Sequence, residues 1–248
     1  MIDKGKYGVI AAMDMEAEHI IAAMHDAHSE TVGGIRFTIG RVFMENEDGE
    51  VGSAKLIVAV CGIGKVFAAM CAQTMIVKYA PSRIINTGVA GTLSPALGIG
   101  DVVIATDVVQ HDMDTSPLGD PKGWISGLDT IRMHCSDRFS KSEMTIAAQK
   151  VLEGTGAKVL HGTVATGDQF IADAARKTWI AETFGAVACE MEGGAVGQVC
   201  EANNVAFAVV RTISDGADGA AVEDYPSFAR HAAEISAKIV LRAATMIW

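Results

Sequence analysis

Residues 189–218 read CEMEGGAVGQVCEANNVAFAVVRTISDGAD. An apolar run, Ala186–Cys189, ends in Glu190 and Glu192. Gly194–Ala202 follows with the spacing of one helix, and a second apolar run, Val205–Ile213, ends in Asp215. Strand, helix and strand in that order are the repeating unit of an α/β sheet. A carboxylate beside a buried strand is costly without a partner or a chemical task. Three such acids in one stretch therefore point to a site as well as to a fold.

The same alternation extends in both directions. Strands are expected at Tyr7–Ala12, Ile35–Phe43, Leu56–Val60, Arg83–Asn86, Val102–Val109, Lys158–Ala165, Ala186–Cys189 and Val205–Ile213. Helices are expected at Glu16–Met24, Lys65–Tyr79, Ser142–Glu153, Asp173–Glu182, Gly194–Ala202 and Ser227–Met246, with a turn-rich acidic hairpin at Glu45–Gly52. Gln110–Arg132, rich in Asp, Gly, Pro and Ser, reads as a long loop at a site or interface. No linker or repeat divides the chain, so residues 1–248 are read as one α/β domain: a central mixed, mostly parallel twisted β-sheet flanked by α-helices. In such sheets ligands sit at the carboxyl ends of strands.

Bulk properties narrow the function. The 248 residues carry a formal net charge of −10 with no basic stripe, which argues against a nucleic-acid surface. The five cysteines are odd in number and lack a C-x-x-C pair, as reduced intracellular thiols would. Asp3, Lys4 and Lys6 precede only a short apolar run, which reads as a strand rather than a signal peptide or a membrane span. A soluble, cytoplasmic protein acting on a neutral or cationic small molecule is expected.

Individual motifs are weaker. Gly62-Ile63-Gly64-Lys65 resembles a phosphate loop, but Ala59 and Val66 stand where a Walker motif needs Gly and Ser or Thr. Asn86-Thr87-Gly88-Val89-Ala90-Gly91 reads as a glycine turn after a strand. His111-Asp112-Met113-Asp114 lacks a second ligand set for a metal, so no metal or cofactor is expected. Each acid also has a bland role: Glu16 as a first-turn helix acid, Asp215 as a turn cap. Glu190 and Glu192 flank Met191, and in an extended segment only one of them would face a given pocket.

Taken together, Ala12–Glu16, Cys61–Lys65, Asn86–Gly91, Gly167–Ile171, Glu190–Glu192 and Arg211–Asp215 form an ordered set. On these motifs the chain resembles the 5′-methylthioadenosine/S-adenosylhomocysteine nucleosidases of the nucleoside phosphorylase-like superfamily over nearly its whole length. The resemblance implies hydrolysis of an adenine N-glycosidic bond. It implies Glu16 as the base that activates water, Asp215 as the acid that protonates adenine N7, and Glu192 on the ribose hydroxyls beside Met191. It further implies Phe170 stacked on adenine, Ile171 reading the base edge through its backbone, and Met13 and Ile63 along the ribose and thio end. Ser214 would support Asp215, and Arg211 would be a structural charge near the site. Val89 stands where some relatives carry Ser, and Tyr225 where an aromatic residue covers the ribose. The family is usually dimeric, with Leu118–Ile125 the expected segment closing the neighbour's pocket. Methylthioadenosine, S-adenosylhomocysteine and 5′-deoxyadenosine are the implied substrates, with methionine salvage one implied role.

Three other readings stand beside this one. A nucleoside phosphorylase shares the fold but needs convergent Arg or Lys for phosphate, where this chain has Glu16; a hydrolase of aminodeoxyfutalosine shares most of the motifs. A nucleoside-binding module without chemistry is the third, though a pure binder has no need of both Glu16 and Asp215.

Overall fold

The computed structural model describes residues 1–46 and 48–246. Ten strands and six α-helices follow one another as β1 (Ile2–Ala11), α1 (Asp14–Ala22), β2 (His25–Val32), β3 (Ile35–Glu45), β4 (Val51–Val60), α2 (Lys65–Tyr79), β5 (Arg83–Thr92), β6 (Val102–Gln110), β7 (Met133–His134), α3 (Thr145–Val151), β8 (Val159–Thr166), α4 (Ala174–Phe184), β9 (Ala186–Glu190), α5 (Gly193–Ala202), β10 (Ala206–Asp215) and α6 (Ala221–Thr245).

All but the two-residue β7 lie along one mixed sheet in the order β10-β6-β8-β9-β5-β1-β4-β3-β2, and β7 pairs with β6. β10 also pairs with β5, so one end of the sheet closes on itself as a small barrel. Closure needs β5 and β9 to meet, and they do so only near their carboxyl ends, Gly91 opposite Cys189 and Thr92 opposite Ala188. Strand ends that would lie far apart in an open sheet are thereby drawn together.

Apolar side chains fill both faces. Ala68, Cys71, Ala72 and Met75 of α2 and Ala195, Val196 and Cys200 of α5 pack on one face. Ala17 and Ile20 of α1, Ala147 and Ala148 of α3 and Ile235, Ile239 and Val240 of α6 pack on the other. All five cysteines are buried and unpaired. Among the described residues, no helix is long and apolar enough to cross a membrane.

Several boundaries differ from the sequence expectation. β2 was not expected: its residues are polar and mostly exposed, and it joins the sheet only at the edge, antiparallel to β3. β5 does not stop at Asn86 but runs through Thr87–Gly91, so the supposed glycine turn is strand. α6 starts six residues before Ser227 and carries Pro226 in its second turn, where a missing N–H costs one helical bond. The helix expected from Ser142 is a π-helical segment, Phe139–Met144, leading into α3. Of the hairpin expected at Glu45–Gly52, Glu47 lies outside the described residues; Asn46 and Glu50 close the turn.

Candidate active site

Glu16 sits in the first turn of α1 and points back across the end of β1. Its Oε2 accepts the backbone N–H of Ala12 at 2.9 Å and of Met13 at 3.0 Å, and its Oε1 accepts that of Val89 at 3.1 Å. The capping role and the cavity-facing role therefore coincide in one side chain. Burial pushes its carboxyl above the ordinary range, while Arg211 and the three amides pull the other way. Three donors on two oxygens suit a carboxylate, which can only accept.

Gly88, beside Val89 in β5, faces the same carboxylate. A Cβ there would land on Glu16 and on Arg211. Gly91 is constrained in the same way, since its Cβ would lie 2.7 Å from Asp215 Oδ1. These glycines are in the strand because two acids approach its backbone, not because the chain turns there.

Asp215 closes β10. Its Oδ1 accepts the N–H of Ala217 at 2.9 Å, and its Oδ2 accepts the Ser214 hydroxyl at 2.9 Å. Ser214 Oγ also lies 3.4 Å from the Ala90 carbonyl, a second acceptor for its proton. Burial raises the Asp215 carboxyl, aided by Asp224 and Asp218 and opposed by Ala217 and Ser214. The surroundings thus favour holding a proton on Asp215.

Arg211, fully buried, organises the remaining acids. It donates short hydrogen bonds to Glu190 and to Asn86, and lies 3.7 Å from Glu192. Glu190 also takes the Thr166 hydroxyl and the N–H groups of Glu192 at 3.1 Å and Gly193 at 2.7 Å. So saturated a carboxylate is structural. Glu192 keeps only the Gly64 N–H at 2.9 Å on its Oε1, and burial and Glu190 push its carboxyl up to about 7 against Arg211 and that amide. The expectation that only one of this pair faces the pocket is corrected: both line it. Strand alternation ends at Glu190, and the chain then turns so that both acids reach the same guanidinium.

The cavity these residues enclose measures about 350 Å³. Glu16, Glu192 and Asp215 line it together with Met13, Ile63, Val89, Phe170, Ile171, Met191, Ser214 and Tyr225. Of the site residues read from the sequence, only Arg211 lies behind the wall. Ala12, Ala90, Gly91, Gln169 and Cys189 line it as well, without having been given a role. The first four lie inside the quoted strand-end motifs and Cys189 adjoins Glu190, so proximity to a strand end was the available signal. Phe170, half-exposed at the mouth, meets the Tyr225 ring edge-on at 5.6 Å, and the Tyr225 hydroxyl donates to Met13 Sδ at 3.2 Å.

No Lys, Arg or His is among the residues lining the cavity. The supposed phosphate loop is likewise committed elsewhere: the Gly64 N–H goes to Glu192, and the Lys65 N–H goes to Asp168 at 2.8 Å. An apolar cavity with Glu16, Glu192 and Asp215 in three different surroundings, beside the saturated Glu190, suits a substrate that develops positive charge while a leaving group is protonated.

Comparison with known proteins agrees with this geometry. Residues 6–245 match the family model of the phosphorylase superfamily. The 5′-methylthioadenosine/S-adenosylhomocysteine nucleosidase of Shewanella loihica is 38% identical over 238 residues, 95% of this chain and 97% of the relative. The Neisseria meningitidis nucleosidase of the same name, solved with methylthio-immucillin-A, superposes with a TM-score of 0.86 at 30% identity, covering 98% of this chain and 99% of that one. The futalosine hydrolase of Helicobacter pylori superposes with a TM-score of 0.83 at 31% identity, over 96% and 97% of the two chains. With a family model spanning nearly its whole length and relatives this similar, the chain belongs to the 5′-methylthioadenosine/S-adenosylhomocysteine nucleosidase family within the phosphorylase superfamily.

Proposed function

We propose that the protein hydrolyses the N-glycosidic bond of 5′-methylthioadenosine and S-adenosylhomocysteine, and of 5′-deoxyadenosine, with Glu16, Asp215 and Glu192 in distinct roles. Water attacks C1′ and gives its proton to Glu16. The C1′–N9 electrons pass into adenine, and Asp215 delivers a proton to N7. Glu192 accepts hydrogen bonds from the ribose hydroxyls. C1′ gains positive charge as the bond breaks, so anions around it favour the transition state over the neutral substrate.

The observation that carries this reading is the contrast between two acids on one cavity. Glu16 has both oxygens on backbone amides, as a base requires. Burial raises both carboxyls, but Asp215 takes only one backbone amide, and its other oxygen meets a hydroxyl whose proton has an alternative acceptor. Phe170 and Ile171 would take the base, and Met13, Ile63 and Tyr225 the ribose and its 5′ group. Val89 contributes its backbone N–H to Glu16 rather than a side-chain contact. The absence of Lys, Arg and His from the lining weighs against phosphate as the nucleophile.

The chain as one domain acting in the cytoplasm as a homodimer completes the proposal. α2 turns Val66, Phe67, Met70 and Val77 outward while its opposite side is in the core. Leu118, 83% exposed, begins the Leu118–Ile125 segment that would close the neighbour's pocket. The test is Glu16→Gln, with adenine release and nucleoside binding measured together. Retained binding with turnover reduced about 10²–10⁴-fold is expected for loss of a general base; wild-type turnover would remove Glu16 from that role.

A further inference from the structure

Lys65, at the end of the Gly62–Lys65 turn, and the His111–Asp114 motif have no part in the chemistry above. They meet each other at the edge of the cavity. Lys65 Nζ donates to Asp112 Oδ1 at 2.7 Å. The Lys65 N–H donates to Asp168 Oδ1 at 2.8 Å, and the Asp168 N–H donates to Asp112 Oδ2 at 2.9 Å. Three residues, one opening α2 and two from the loops after β6 and β8, are each bonded to the other two. Lys65 Nζ reaches Gln110 Oε1 at 3.2 Å as well, and Gln110 Nε2 holds Gln198 at 2.6 Å, tying the ring to α5.

We propose that Lys65, Asp112 and Asp168 form a bracket that positions the Gln169–Ile171 loop over the substrate base, against the Ile63–Gly64 turn that holds Glu192. They are positioning residues for the adenine-releasing reaction, and the inference rests on that reading. Apolar packing anchors the loop at the buried Ile171 but leaves Phe170 49% exposed, its ring meeting the edge of Tyr225. The backbone is shaped for the bracket. Gly64 has φ +100°, and a Cβ there would lie 2.9 Å from Asp168 Oδ1. A Cβ on Gly167 would run into the His111 ring, so the loop's first residue is pressed against the second motif. Lys65 and Asp112 are largely shielded, at 20% and 17% side-chain exposure, so solvent weakens their pair less than an exposed one.

A loop that grips the base in the ground state and the transition state alike contributes uniform binding, so its loosening raises KM and spares kcat. The test uses Asp112→Asn, which keeps the shape of the carboxylate, and Lys65→Met, which keeps the stem and removes the donor. Adenine release from methylthioadenosine and hydrogen exchange over residues 167–173 are read for each, with Tm as a check on folding. KM is expected to rise about tenfold with kcat within about threefold, the weight of one charge-assisted hydrogen bond. Exchange at Asp168 and its neighbours is expected to quicken. The double variant should be no worse than the worse single one, because both remove the same contact, and Lys65→Arg should recover part of the loss. Unchanged KM, unchanged exchange, or effects of the two single variants that simply multiply would each overturn the bracket. A wild-type protein that releases no adenine would instead remove the reading beneath it, so the two failures are distinguishable.

Discussion

Gly88→Ala adds one methyl group at a φ of +154°, which L side chains rarely adopt, and it presses that group against Glu16. Gly88 lies in β5 opposite Arg211 of β10. The new Cβ would lie 2.8 Å from Glu16 Cδ and 2.5 Å from Arg211 Nη1. Carbon atoms settle at about 3.5–4.0 Å, so the Glu16 carboxylate must retreat by about 1 Å. It is held to Ala12, Met13 and Val89 by bonds of 2.9, 3.0 and 3.1 Å, and such a retreat breaks at least one. A 1 Å misplacement of a reacting group costs about 10²-fold in rate. Overpacking of this kind costs about 1–3 kcal/mol, which for a chain of this size lowers Tm by about 2–12 °C. Adenine release at saturating methylthioadenosine, beside a thermal melt, separates the two effects. A folded variant with turnover down about a hundredfold is expected. Turnover within about threefold of wild type would show that Glu16 is not positioned against this strand for catalysis.

Asp215→Asn removes the acid proposed to protonate the leaving group. Binding should persist and kcat fall about 10²–10⁴-fold. In the wild type, activity should fall as pH rises through the raised pKa of Asp215, because the proton needed at N7 is then lost; that limb of the kcat profile should vanish in the variant. Glu190→Gln leaves the buried Arg211 without its closest charged partner. Breaking a buried pair costs about 3 kcal/mol at the low end, so Tm should drop by about 6–12 °C; an unchanged melt would mean that Glu192 and Asn86 alone satisfy the guanidinium. The same variant should lower the pKa of Glu192, since Glu190 is, after burial, the largest of the influences that raise it.

Local pattern carried the elements whose burial follows a period. α2 shows the length, spacing and start residue expected for Lys65–Tyr79, and β10 is an apolar run that ends at the acid. β2 could not be read this way. His25–Val32 is a polar strand at the sheet edge, held mainly by its backbone pairing with β3, and polar alternation without an apolar face has no period to find. Gly88 and Gly91 were misread as a turn because the reason for them is tertiary: Glu16, Arg211 and Asp215 crowd the strand from elements distant in sequence. The barrel-like closure through β10 and β5 was invisible for the same reason, since it depends on long-range pairing.

The candidate site was more legible than the topology that builds it. Glu16, Glu192 and Asp215 each follow a strand, and a strand end is a local signal. That Glu190 and Glu192 share Arg211 was not legible, because the alternation rule fails once the chain leaves the strand. Lys65 and Asp112 each resembled a different kind of site, and only their mutual contact gives them a shared purpose.

Adenine release from methylthioadenosine in buffer free of phosphate, compared with the same reaction in phosphate, tests the central claim most directly. The account predicts equal rates, with free 5-methylthioribose as the sugar product in both, since Glu16 and the cation-free lining serve water and not an anion. Release that requires phosphate and yields the sugar 1-phosphate would contradict it.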